Sequence, residues 1–287
     1  LSGTNTYTGA TTISAGVLRA ANAAALGTIA GGTTVADGAA LELSGGLTFN
    51  AEALTLNGTG ISSGGALRNI SGTNTYQGAI TLASATRINS DSGTLTLDVA
   101  SGNGIAGTFN LTFGGAGNVT VADPIATSTG TLTKDGAGTL TLSGTNTYTG
   151  DTTINAGTLV AGANAPSGSA GALGNSTNAV LLGDTTGSSN AALVANGAFT
   201  IARDITVQSG SSGTATIGGN SAHSSIFTGN VVLNKNVILT AVSGGTATFS
   251  TGVISGSYAV TKTDVGTVVL SGTNTYTGAT TISAGVL

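Results

Sequence analysis

One 18-residue segment recurs four times in this chain, and that recurrence constrains the fold more than any other feature. Residues 1–18 read LSGTNTYTGATTISAGVL, and residues 270–287 are identical to them at every position. Residues 142–159 match at 15 positions and residues 70–87 at nine. Between the copies lie short segments in which apolar residues alternate with Thr or a charge, as in residues 40–43, 94–97, 139–142 and 230–233. A period of two marks a strand with one buried face. Turn signals separate these segments, among them Gly144-Thr145-Asn146, Asp37-Gly38 and Asn57-Gly58. Only residues 19–26, RAANAAAL, have a helical flavour, and a short helical excursion is expected there. The chain reads as all-β.

Spacing separates the all-β architectures. The copies begin at positions 1, 70, 142 and 270, with successive offsets of 69, 72 and 128. One coil of a parallel β-solenoid takes roughly 20–25 residues. The first two offsets then equal about three coils each, and the third about five or six. A sandwich or barrel does not normally repeat a motif in this way. The expectation is a single continuous β-solenoid over residues 1–287, with roughly 12–14 coils. At a strand spacing near 4.8 Å its length would be on the order of 60 Å. The two identical copies also predict a larger tandem unit spanning positions 1–269, which begins again at Leu270. On that reading the chain is one unit plus an overlap, an excerpt of a longer product, as its lack of Met also suggests.

Composition closes off several classes. Without cysteine there is neither a disulfide framework nor thiol chemistry. Charged residues are 6% of the chain and the net charge is −4, with seven basic residues that look singly scattered. Nucleic-acid binding and anionic membrane surfaces both require clustered Lys and Arg, so neither partner is expected. No apolar run is long enough for a transmembrane helix. Mean hydropathy of +0.33 argues against disorder.

Residues 134–159, KDGAGTLTLSGTNTYTGDTTINAGTL, resemble the autotransporter-associated β-strand repeat, also called the passenger-associated transport repeat. Residues 262–287 resemble it equally, and residues 25–43 are similar to the segment downstream of such repeats. The copy at residue 70 departs from the pattern, with Gln77 in place of Thr and no upstream Lys-x-Gly-x-Gly element. The resemblance implies a right-handed parallel β-helix exported through the outer membrane of a Gram-negative-type bacterium, and displayed or released outside.

Catalytic signals are weak. A Gly-x-Gly-x-x-Gly match at residues 102–107 lacks any surrounding βαβ unit, and one to two such matches are expected by chance. Residues 60–64 fit Gly-x-Ser-x-Gly without a strand-to-helix turn. Residues 114–118 begin like a calcium nonapeptide, but Val119 stands where Asp is required. The only histidine, His223, has no identifiable partner and reads as a turn residue. Asp98 with Asp123, and Asp135 with Asp151, could fall on adjacent coils as a carboxylate pair for sugar chemistry, against the plainer reading of solvated turn acids. Lys134 and Lys262 each stand eight residues before a motif copy, next to Asp135 and near Asp264, which predicts a structural role as a surface ion pair or a turn contact. No catalytic residue, metal or cofactor is expected.

Tyr7, Tyr76, Tyr148 and Tyr276 occupy the same motif position. If the offsets are whole numbers of coils, these tyrosines share one face. They then either pack against neighbouring corners or form a lateral contact stripe. The resulting expectation is a non-enzymatic rod or fibre of an exported bacterial surface protein, supporting adhesion or cell–cell and matrix contact. Its partners would be further copies, end to end or laterally, and glycans or a neighbouring cell surface. The alternatives are a carbohydrate-active or carbohydrate-binding β-helix and a passive spacer that aids secretion.

Overall fold

A strand of three to five residues cannot stand alone, so each must find a neighbour on both edges and cover one face. The computed structural model describes all residues, Leu1–Leu287. Its 32 strands pair in parallel with the strand one coil away, the arrangement of a β-solenoid, and its only helix is a 3-10 turn at Ile61–Ser63. The helical excursion expected at residues 19–26 does not form. Arg19 and Ala20 close a strand, and the alanines beyond make a turn that tucks Ala25 and Leu26 inside.

The chain divides into two compact units, Leu1–Gly150 and Asp151–Leu287. In the first unit each coil has three sides. The first side holds Thr11–Ile13, Thr33–Val35, Leu54–Leu56, Ile80–Leu82, Ile105–Gly107 and Ile125–Ala126. The second runs from Gly16–Ala20 through Ala39–Ser44, Leu67–Ser71, Thr86–Ser90 and Leu111–Gly114 to Leu132–Lys134. Thr48–Phe49, Thr73–Tyr76, Thr94–Leu97, Asn118–Val121 and Thr139–Leu142 form the third. The second unit is built in the same way, and its longest side runs from Gly157–Ala161 through four further strands to Thr280–Ile282.

Register explains the composition. Position by position, like stacks on like: Leu18, Leu41, Leu67, Ile88 and Phe113 form one inward column, and Leu159, Leu193, Ile217 and Leu239 another. Burying each such side chain contributes about 1.5–3 kcal/mol. Phe49 over Tyr76 and Phe227 over Phe249, with centroids 6.5 and 4.8 Å apart, extend the same rule to rings. Outward positions are Thr-rich, as in the row Thr75, Thr96, Thr120, Thr141. Glycine fills the corners because backbone passes there at close range. A Cβ on Gly138 would lie 1.8 Å from the Gly117 carbonyl oxygen of the coil before.

Candidate functional site

The four motif copies are corners. In the first copy the strand Thr11–Ile13 turns through Gly16, at φ 72°, into Gly16–Ala20 on the next side. Gly157 and Gly285 hold the same place in the third and fourth copies, at φ 71° and 73°. That left-handed conformation favours glycine. The second copy has Ala85 there and turns without a positive φ.

The copies do not all lie on one side. Thr11, Thr33, Leu54 and Ile80 pair in succession, so the first copy is separated from the second by three whole coils. Three further coils carry Thr75 to Thr141, and the motif threonine equivalent to Thr75 is Thr147, six positions later. Thr147 donates its N–H to the Ile125 carbonyl on the first side at 3.0 Å, whereas Thr75 lies on the third side. The second copy is therefore separated from the third by three coils and one side, which corrects the expectation of a whole number.

This placement decides the tyrosines. Tyr76 and Tyr148 are fully buried, Tyr276 is half-buried and Tyr7 is 40% exposed. Tyr76 and Tyr148 are inside and take no part in a lateral contact stripe, Tyr76 being stacked beside Phe49 in an inward column, so of the four only Tyr7 and Tyr276 reach the surface. Each end copy closes its own turn, with Tyr7 Oη 2.7 Å from Thr11 Oγ1 and Tyr276 Oη 2.7 Å from Thr280 Oγ1. In the second copy Ile80 replaces that threonine, and the Tyr76 hydroxyl donates instead to the Glu52 carbonyl at 2.9 Å. Burial, and then the nearby Glu52 charge, raise the Tyr76 pKa well above the ordinary phenol value.

The residue that sequence reasoning overlooked is the motif asparagine. The side-chain carbonyls of Asn74, Asn146 and Asn274 accept the backbone N–H of Leu47, Ile125 and Ile254 at 2.7, 2.8 and 2.9 Å, each in the coil before. A backbone donor at a corner has no ladder partner, and leaving it buried and unpaired costs about 1–3 kcal/mol. The recurrence of Asn in all four copies was the available signal.

Lys134 and Lys262 are buried, 2% and 0% exposed, which settles their role as turn contacts and not surface ion pairs. Each continues an inward column: Phe113 pairs with Lys134, and Leu239 with Lys262. The stem fills the column while the amine caps the corner. Lys134 Nζ donates to the Asp135 and Gly136 carbonyls at 2.9 and 2.8 Å. Lys262 Nζ donates to the carbonyls of Thr263, of Asp264 at 2.6 Å and of Ala284 at 3.3 Å. Burial, opposed by the Asp135 charge, lowers the Lys134 pKa to about 8, and burial lowers that of Lys262 as well.

The basic residues are not all scattered. On the second side of the first unit, Glu42 accepts from Arg19 Nε and Nη2 at 2.9 and 2.8 Å and from Arg68 Nη1 at 2.9 Å, while Arg68 also bonds Asp91. Arg87 grips Asp135 with two bonds of 2.8 and 2.7 Å across Gly114, where a Cβ would fall 1.9 Å from Arg87 Nη2. The signs alternate along this row of Arg19, Glu42, Arg68 and Asp91, so each charge faces an opposite one in a neighbouring coil.

The suspected acids are also engaged. Asp123 accepts the Val99 N–H at 2.6 Å, Asp135 is held by Arg87, and Asp151 accepts from Asn178 at 2.7 Å, while Asp98 is exposed. Glu52 is buried, accepts from Thr33 Oγ1 at 2.6 Å, and has its pKa raised by burial, an effect the Thr33 bond opposes. His223 is exposed, 3.4 Å from Ser221 Oγ, and Ser62 lies in an exposed turn at φ 51°. No three His, Asp or Glu side chains gather as a metal ion would require.

Comparison with known proteins supplies the lineage. The model of the passenger-associated-transport-repeat family matches residues 1–20, 132–161 and 260–287, which include three of the four motif copies. The chain carries passenger-associated transport repeats. This passenger-repeat chain is also similar to the adhesin BmaC autotransporter of Brucella suis biovar 1 (strain 1330), with 33% identity over 290 residues. That alignment covers 99% of the passenger-repeat chain and 6% of the adhesin. No solved structure matches the chain. The second copy, residues 70–87, falls outside the family matches, in keeping with its missing corner glycine and Lys element.

Proposed function

We propose that this chain is a non-enzymatic structural segment of an exported bacterial surface protein, which supports adhesion by holding surface side chains on a stiff solenoid. The observation that carries this reading is the similarity to an autotransporter adhesin along 99% of the chain. The geometry is consistent with it. The motif asparagines and the buried lysines Lys134 and Lys262 cap backbone groups, and the buried Glu42 and Glu52 are engaged by Arg19, Arg68 and Thr33. A purely mechanical role needs no cofactor, and the place of such a segment is outside the outer membrane.

The test is surface display. Beads or cells carrying the chain should bind abiotic surfaces, host cells or neighbouring bacteria more than beads carrying an unrelated β-solenoid of equal length. Equal binding by the two would leave only the spacer role.

A further inference from the structure

The identical end copies, residues 1–18 and 270–287, use complementary halves of one coil. In the first copy every bond to another coil goes forward: Tyr7 O accepts from Thr28 N–H, Ile13 O from Ala36 N–H, and Asn5 Nδ2 donates to the Ala25 carbonyl. In the last copy the bonds go back: Thr277 N–H donates to Gly256 O, Ser283 N–H to Lys262 O, and Asn274 Oδ1 accepts from Ile254 N–H. None of these bonds uses the same atom twice. The amide is divided most plainly, since Asn5 uses its NH2 and Asn274 its carbonyl. Asn74 uses its carbonyl toward the coil before, as Asn274 does, and turns its NH2 to Asn69 and Ser71 of its own coil.

Exposure follows the same division. The motif isoleucine is 55% exposed at Ile282 and 5% at Ile13, but 0% at Ile154 in the third copy. The motif tyrosine is 40% exposed at Tyr7 and fully buried at Tyr148. The repeated segment thus forms a finished coil only when a coil lies on each side.

We propose that the edge of Thr11–Ile13 and Gly16–Ala20 facing away from the next coil is a docking surface for a second copy of this chain's repeating unit, positions 1–269. Its last coil, Val260–Thr263 with Thr267–Leu270, seats there in the register already used by residues 270–287. Thr11, Thr12 and Ile13 then pair with Val260, Thr261 and Lys262 of the preceding unit, as Thr280, Thr281 and Ile282 do. Val17 pairs with Thr267, as Val286 does. The Lys262 amine caps the Ala15 carbonyl, as it caps that of Ala284. One donor must switch: Asn5 N–H turns to Ala24 O, whereas Asn274 N–H turns to Gly272 O. Stacking of this kind does not depend on adhesion.

The test is hydrogen exchange on a two-unit chain, residues 1–269 followed in frame by residues 1–287, beside the single chain. In the two-unit chain the junction copy should exchange at least tenfold more slowly than residues 1–18 or 270–287 of the single chain, and at the rate of residues 142–159. Introducing Asn274→Ala at the junction should remove most of that protection and change the single chain less. Junction amides that exchange as in the single chain, separate unfolding of the two units, or a two-unit chain that fails to fold where the single chain folds would each overturn the proposal.

Discussion

Corner side chains carry this fold at the scale of single residues. Asn146→Leu leaves the Ile125 N–H without an acceptor at a fully buried site, and should cost about 1–3 kcal/mol in urea unfolding. Lys134 gives a pH signature. Below pH about 8 its amine is charged in both folded and unfolded chains. Above that value the folded chain has released the proton that the unfolded chain holds until about 10.5. The unfolded state then binds more protons, so stability rises across that window, by at most about 3 kcal/mol from this residue. Tyr76 acts in the opposite sense above pH 10, because the unfolded phenol ionises while the folded one stays protonated. Melting temperature should therefore crest near pH 10, and Lys134→Met should remove the Lys134 share of the rise and leave that of Lys262, whose pKa burial also lowers. These roles were only partly legible. The recurrence of Lys eight residues before two motif copies pointed to a surface ion pair or a turn contact, but burial could not be read because a lysine usually keeps its amine in water.

Single strands here are weakly specified, and the second side of the first unit is the clearest case. Alternation in Thr94–Leu97 and Thr139–Leu142 identified strands and their inward faces, since a period of two fixes which side chains share a face. Alternation carries no information about which strand pairs with which. The Arg19, Glu42, Arg68 and Asp91 zipper therefore stayed invisible until register brought together side chains a full coil apart in sequence. Glu42 is buried while Arg19 is mostly exposed, so their loss should differ. Glu42→Ala removes the shared acceptor and should cost about 1.5–3 kcal/mol, whereas Arg19→Ala should cost under about 1 kcal/mol by urea unfolding. The corner glycine offers a matched pair. Gly157→Ala, at φ 71°, should cost about 1–2 kcal/mol, while Ala85→Gly in the second copy should not stabilise the chain.

At the scale of the whole molecule, repetition revealed the architecture and coil length hid the placement of its parts. Coils vary in length: the step from Leu41 to its partner Leu67 is three positions longer than the step from Leu18 to Leu41. An offset of 72 can thus be three coils or three coils and a side, and only pairing distinguishes them. That ambiguity is why Tyr7, Tyr76, Tyr148 and Tyr276 fall on one face when read from sequence, as corner packing or as a contact stripe, although two of them are fully buried. The buried tyrosines of the second and third copies belong to the stack's interior. Nitration of the native chain, followed by mass spectrometry of each tyrosine, tests this most directly. Rapid modification is expected at Tyr7 and Tyr258, slower modification at Tyr276, and none at Tyr76 or Tyr148 until the chain unfolds. Equal modification of all four motif tyrosines in the folded chain would contradict it.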